Sequence, residues 1–496
     1  MASLATLAWL STGAFAANQT PDLSPITIGS SLPFTTTVDN PVSFPGQTLP
    51  TLHSFAKASV SIGGHNQWLL IGGMTNGIHD LGGGGFDPAS HNKSIHVIDP
   101  VTQQIWSRSI IGSGLTQDQI NSLSTTNAQS TQVGNRLYIS GGYGNYIDNV
   151  GDLYYTTFDR LTAIDLPGMM EWVKTGSGMA SAHLRQISDP ILRVTGGDMH
   201  TTSNGRTHLV FGQDYPDAYE PRLTGIYTRQ VRSFTIVDDG TNLSISDAIE
   251  HPTNQDFRRR DLNVVPIIDK VGDQYVEKMQ ALSGVFTSSF GAWTVPVTID
   301  DQGNATQPDP TNPSTFKQGM NGYRCATLGL YSAERDEMHT LLLGGISYQF
   351  FNEQLGQFEE DFNLPFVNDC TDIVIDADGN MTQHLLPDLL PEILSPTTGE
   401  PYLLGAETRF FLADGIETYG NGVIDLDALT GRTLVGYLYG GIAAVQPNGG
   451  PTVGSNALLP VWISPTVPEP ASGLLAVVAA CVVRSRSLRG EACLAR

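Results

Sequence analysis

Three consecutive arginines, Arg258, Arg259 and Arg260, precede Asp261 in a chain that is otherwise poor in positive charge. Arginine forks bind carboxylates and sulfates through paired hydrogen bonds, so this triplet can hold an acidic ligand. Arg324, His53 and Gln129 join it as candidate ligand-binding residues, with Asn127 and His200 as polar neighbours at comparable places in the chain. The alternative role for the triplet is internal: Asp256 and Asp261 lie close enough in sequence to pair with it and tie strands together.

A second motif, Asp376-Ala-Asp378-Gly379-Asn380, has the start of a calcium loop. It lacks the bidentate Glu that completes a twelve-residue site, and it falls where a hairpin turn is expected. Glu359, Glu360, Asp361, Asp369 and Asp372 form another loose acidic set. Calcium is the one cofactor these residues suggest; otherwise none is implied. Cys325 and Cys370 are either a disulfide or two buried thiols, while Cys481 and Cys493 belong to the C-terminal tail. The sequence has no Cys/His pair with zinc spacing, no HExxH and no Gly-x-Ser-x-Gly elbow, so no catalytic residue is assigned.

The elements that must position these residues are strands. Short β-rich runs separated by Gly, Asn and Asp dominate, and Gly (53) and Pro (29) are spread through the chain, which reads as an all-β fold. Apolar strands ending in glycine recur at Gly73, Gly142, Gly212, Gly284, Gly345 and Gly441, with spacings of 69, 70, 72, 61 and 96. A second landmark follows most of them: Ile98-Asp99, Ile164-Asp165, Val237-Asp238, Ile299-Asp300 and Ile375-Asp376. Three of the turns that come next read Asp239-Gly240, Gln302-Gly303 and Asp378-Gly379, which is hairpin chemistry. Each unit therefore holds about four strands, and four-stranded units repeated radially make a β-propeller.

The double glycine after an apolar strand resembles the kelch motif over roughly residues 50–465. Kelch blades carry a later aromatic, and Trp106 and Trp172 are placed on the outer strands of the first two units. The resemblance implies a kelch-like propeller of six blades, seven being the alternative. The sixth unit lacks room for a fourth strand before Pro465, and Ser24–Ser30 is expected to fill that slot and close the fold. Leu386–Tyr419 is read as an insertion, and Gly82–Gly85 as a loop tip. Some kelch folds are copper oxidases, but no spacing joins His53, His200, Tyr227, Tyr323 and Cys325 into such a site.

The two ends concern export. Val467-Pro468-Glu469-Pro470, the apolar run Ala471–Val483 and the arginines 484, 486 and 489 resemble a PEP-CTERM sorting tail. That resemblance implies recognition by an exosortase-type sorting enzyme, transient membrane contact and removal of residues 465–496. Thirteen helical residues rise roughly 20 Å, short of the ~30 Å hydrocarbon core. An uncleaved anchor is the alternative. Residues 1–16 read as a signal peptide ending at Ala14-Phe15-Ala16, although no Lys or Arg occurs before Lys57. Residues 17–464 then form the propeller. With 49 acidic against 26 basic residues and a net charge of −23, nucleic acid is not an expected partner. The expected role is that of an exported binding or scaffold protein at the cell surface or in the extracellular matrix, in contact with acidic polysaccharide or a surface protein. The alternative is a secreted propeller enzyme acting on carbohydrate.

Overall fold

The computed structural model describes residues 23–29, 32–79, 86–220, 225–272, 274–288, 291–448 and 450–466. The expected signal peptide, the sorting motif Val467, Pro468, Glu469 and Pro470, and the loop tip Gly82–Gly85 lie outside the described residues. Strands dominate, and the described residues include only two α-helices, Gln117–Leu123 and Leu166–Thr175. The protein is all-β. Neither helix is long and apolar enough to cross a membrane.

Six larger sheets occur among the described residues; five have four antiparallel strands, and the fifth along the chain adds a short parallel strand at each edge of its four, Ile26–Ile28 and Ile424–Asp425. The first holds Ala56–Ile62, His65–Ile71, Ser94–Asp99 and Gln104–Ser109; the second holds Gln129–Val133, Arg136–Ser140, Arg160–Asp165 and Leu184–Ser188. The third is Asp198–Thr201, Arg206–Val210, Val231–Asp238 and Leu243–Glu250, and the fourth runs from Val264–Val271 to Ala305–Thr306. The fifth is built on Ala326–Ser332, Glu337–Ile346, Phe366–Ile375 and Met381–Leu385. The sixth takes Arg409–Leu412, Thr433–Tyr439 and Leu458–Pro465 from one end of the chain and Phe34–Val38 from the other.

An N-terminal strand therefore does join the sixth sheet, but it is not Ser24–Ser30. Phe34 pairs with Pro465 and Val38 with Val461, while Ile26–Ile28 pairs in parallel with Gln383–Leu385 on the edge of the fifth sheet. The physical reason is alternation: Phe34, Thr36 and Val38 are all buried, with Thr35 and Thr37 turned the other way. Ile26-Thr27-Ile28 is more apolar in composition, yet Ile28 is exposed. The segment read as an insertion also supplies the sixth sheet with its first strand, Arg409–Leu412. Trp106 sits on the outer strand of the first sheet as expected, but Trp172 does not occupy an outer strand. It lies on the helix Leu166–Thr175, which starts with Pro167 in its first turn and stops at Gly176, whose φ of 75° needs no Cβ.

The middle strands read as unbroken apolar runs because both of their faces are covered. Leu69 and Ile71 face Leu137, Ile139 and Ile164 of the second sheet, while Trp68 and Leu70 between them face Phe411 and Tyr439 of the sixth. Tyr138 turns instead toward Leu209 and Phe234 of the third sheet. The same alternation puts Val264 in a core with Val210 and Val231, and Val265 in a core with Tyr331 and Leu342. Leu341 and Leu343 then meet Val435, Leu438 and Val461. Each consecutive pair of sheets thus shares an apolar layer, and the sixth shares one with the first.

Four of the six recurring glycines make sheet-to-sheet bonds. Gly73 N–H donates to Thr125 O (2.8 Å), Gly142 to Val194 O (2.8 Å), Gly212 to Arg259 O (2.9 Å) and Gly441 to Leu52 O (2.9 Å). The acceptor always belongs to the segment that enters the next sheet, and for Gly441 that sheet is the first. At Gly141 a Cβ would come within 2.0 Å of Val194 O, which explains why the pair tolerates no side chain there.

Candidate functional site

The segments entering the six sheets share a strained residue. Ser54, Asn127, Gly196, Asp261, Arg324 and Glu407 all have φ between 48° and 69°, a region that residues with a side chain seldom occupy. They are linked in order: Asn127 N–H donates to Ser54 O, Gly196 to Asn127 O, Asp261 to Gly196 O, and Glu407 to Arg324 O. Several of their side chains converge. The Arg324 guanidinium donates to both Glu407 carboxylate oxygens (3.2 and 3.3 Å), to Gly197 O (3.2 Å) and to Asn127 Oδ1 (3.1 Å). One side chain of the fifth sheet thereby holds the heads of the second, third and sixth.

Beside this pair stand Asp198, His200, Arg409 and Lys57, from the inner strands of three sheets. His200 Nε2 is 3.7 Å from an Asp198 oxygen. Burial works against the Asp198 carboxylate, but His200, Arg324 and Arg409 hold its pKa below the usual value. Burial and the nearby Arg409 charge lower Lys57 to about 8. Burial, with Arg324 next to it, also lowers Arg409.

The arginine triplet divides. Arg259 is fully enclosed, and its guanidinium donates to Asp256 O (2.8 Å), Ser283 O (3.3 Å), Val295 O (2.8 Å) and Gln307 Oε1 (2.7 Å). The expectation that it faces a ligand is corrected: a guanidinium with every fork occupied by carbonyls is a structural tie. Arg258 donates to Phe286 O and lies 4.0 Å over the Tyr227 ring. Arg260 donates to Tyr227 Oη (3.0 Å) and pairs with Asp261 at 3.4 Å. Burial opposes the Arg260 charge, but Asp261, Tyr227 and Tyr219 more than offset it and raise its pKa.

His53 and Gln129 are internal as well. His53 is bonded at Nδ1 to Ser54 Oγ (2.9 Å) and at Nε2 to Gly77 O (3.2 Å), and burial lowers its pKa to about 4. Gln129 is 1% exposed and donates to Asn127 O (2.9 Å). Cys325 and Cys370 are both free and buried. The strand Glu337–Ile346 runs between those carrying them, so about two strand spacings, roughly 10 Å, part them, beyond the reach of a disulfide. In the suggested calcium loop, Asp376 Oδ1 accepts from the backbone of Asp378 and Asn380, as a hairpin turn requires.

Of the predicted residues, Arg260 reaches an open hollow, together with Asn127 and Asp261. The hollow is shallow, with a cavity volume of about 30 Å³, and is walled by Phe86, Tyr143, Tyr215 and Tyr219. These rings hold one another edge-on: Phe86–Tyr143 at 5.2 Å, Phe86–Tyr219 at 5.6 Å and Tyr143–Tyr215 at 5.7 Å between centroids. Tyr143 Oη donates to Asp217 O (2.8 Å) and Tyr155 Oη to Phe86 O (2.9 Å), which fixes the wall. Thr126 also lines the hollow, and its buried hydroxyl has no partner. Burial raises the Tyr219 pKa; the Arg260 charge opposes that shift, while Asp261 and Tyr215 add to it. The hollow combines apolar rings with an ion pair, a side-chain amide and an unused hydroxyl, a lining that suits the edge of a polyhydroxylated ring resting at its mouth.

Sequence reasoning missed these aromatics because it searched the segments entering the first strand of each unit. They come instead from connections between second and third strands: the hairpin Tyr143–Ile147/Leu153–Thr157 and the segment between Gln213–Asp214 and Ile226–Tyr227. One signal was present, since seven of the 16 tyrosines fall between 143 and 227. Glu407, Arg409 and Asp198 were missed because the charges they meet, Arg324 above all, lie on other sheets far away in the sequence.

No family model matches the chain, and no curated protein does. Among solved structures it is similar to one described as "Structure of YjhT", with 13% identity and a TM-score of 0.43, over 86% of this chain and 98% of that one.

Proposed function

We propose that the protein is an exported, kelch-like β-propeller of six blades, closed by an N-terminal strand, that binds carbohydrate at the cell surface or in the extracellular matrix. The propeller reading is supported by six sheets, each with a core of four antiparallel strands, that share apolar layers in succession, with Gly441 bonding back to Leu52. Export and removal of the tail by an exosortase-type enzyme, with transient membrane contact, draw on the Val467–Pro470 motif and the apolar and basic segments behind it.

The observation that carries the binding role is the aromatic hollow. Half-buried Tyr219 offers its face to sugar C–H groups, with Tyr143 and Tyr215 buried behind it as support, while Asn127, Thr126 and the Arg260–Asp261 pair offer hydrogen bonds. Arg260 makes acidic sugars the preferred class, and polysaccharide the natural partner. The test is a glycan array probed with the purified chain and with Tyr219→Ala, with circular dichroism verifying that the variant is folded. Binding that weakens tenfold or more in the variant supports the reading. Absence of binding to any glycan, or binding indifferent to Tyr219, overturns it.

A second reading, a propeller enzyme acting on carbohydrate, draws on Lys57. Its lowered pKa, beside Asp198 and Arg409, suits proton transfer near neutral pH. Turnover of a bound glycan that is lost in Lys57→Met with binding intact would favour it over a pure binder.

A further inference from the structure

The hairpin Tyr143–Ile147/Leu153–Thr157 borders a second depression. Further along it from the aromatic hollow lies a groove of about 380 Å³, bounded by the helix Gln117–Leu123 and by the segment ahead of the strand Ser94–Asp99. His91, Lys93, Gln117, Asn121, Asn145 and Tyr146 line it, with Ile111 and Ile147 exposed at its rim. Tyr146 is held flat by stacking on Tyr154, with centroids 5.5 Å apart and planes 16° from parallel. His91 is 3% exposed; its Nδ1 bonds Ser124 O at 2.7 Å, and its Nε2 has no partner. With Nδ1 donating to a carbonyl, the ring is a neutral tautomer whose Nε2 is an unused acceptor. Burial, which lowers the His91 pKa, keeps it in that form.

The two hollows share one wall. Asn145 lines the groove, and its cross-strand partner Tyr155 braces the aromatic hollow through Phe86. Tyr143 at the root of the strand faces the hollow, and Ile147 at its end lines the groove, about 14 Å away along four residues. A single sugar cannot fill both; a chain can.

We infer that the groove is a second subsite for the same ligand, an acidic glycan chain that runs along the hairpin from the aromatic hollow. This rests on the hollow binding carbohydrate. The groove asks for a hydroxyl donor at His91, hydroxyls for the amides of Gln117, Asn121 and Asn145, a C–H face for Tyr146 and an anion for Lys93. Lys93 is the sole charged residue among those lining the groove, in a chain of net charge −23, so a carboxylated sugar is the complement.

The experiment is isothermal titration of the full chain with galacturonate oligomers of one to six units, and with hexaglutamate as an acidic peptide of matched charge. Affinity is expected to rise about tenfold or more from monomer to hexamer, because the second contact is made by a tethered unit. The double variant Lys93→Ala/Asn121→Ala, both in surface positions, should abolish that gain and leave monomer affinity unchanged, whereas Tyr219→Ala should weaken every length. Affinity that does not depend on length, or a gain that survives the double variant, overturns the groove and leaves the hollow standing. Failure of every length to bind overturns both. Hexaglutamate binding as tightly as the hexamer, with the same loss in the double variant, makes the groove a peptide site and refutes the glycan assignment.

Discussion

Replacing Gly141 by Ala tests the sheet-to-sheet contact directly. Gly141 has φ of 65°, and an added Cβ would lie 2.0 Å from Val194 O and 3.0 Å from Leu192 O. The left-handed backbone alone costs an alanine about 1–2 kcal/mol. Relieving the overlap requires Val194 to retreat by about an ångström, which breaks the 2.8 Å bond from Gly142 N–H and leaves buried groups unpaired, about 1–3 kcal/mol more. Overpacking between the sheets adds a similar amount. The total is about 3–8 kcal/mol. Gly134→Ala is the control, because it lies in the same sheet with φ of 55° and nothing within 4 Å of its Cβ, so it should lose only the backbone part. Equilibrium denaturation in urea, followed by tryptophan fluorescence, compares the two midpoints. If both variants shift the midpoint equally, the second and third sheets do not meet at Val194, and the cyclic order of the sheets loses its main support.

Two further outcomes follow from buried charge. Arg324→Met should destabilise the fold by about 3–5 kcal/mol, because it strands the Glu407 carboxylate, whereas Arg324→Met/Glu407→Leu should recover much of that loss; thermal melts of the single and double variants decide it. His53, His96 and His208 have pKa values lowered by burial to about 4 in the folded state, against about 6.5 when unfolded. Between those values the unfolded chain binds more protons, so stability should be fully present above pH 6.5 and decline as pH falls toward 4, by up to about 3 kcal/mol for each ring. A melting temperature that stays flat from pH 7 to 4.5 would contradict these burials.

Much of the fold was legible because its signals are local. Trp68–Ile71, Leu137–Ser140 and Leu341–Leu343 announce strands covered on both faces, and the Asp-Gly turns announce hairpins where the structure has them. Strand existence, the repeat and the all-β class needed nothing beyond residue type and spacing, because backbone preference and alternate-face burial act over a few residues. Which N-terminal segment joins the sixth sheet was not local. Phe34–Val38 wins over Ile26–Ile28 because its partner strand lies more than 400 residues away and only the finished layer shows which alternation is buried.

The candidate site divides the same way. The sequence marked Arg260 and Arg324 by charge in an acidic chain, and by itself it determined that an unusual cationic cluster exists. Tertiary structure alone decided that Arg259 is spent on four carbonyl-type acceptors, that Arg324 is bound to Glu407 from another sheet, and that the tyrosines of two distant connections form one wall. A binding surface gathered from several sheets has no sequence spacing of its own, because its residues are neighbours only after the layers pack.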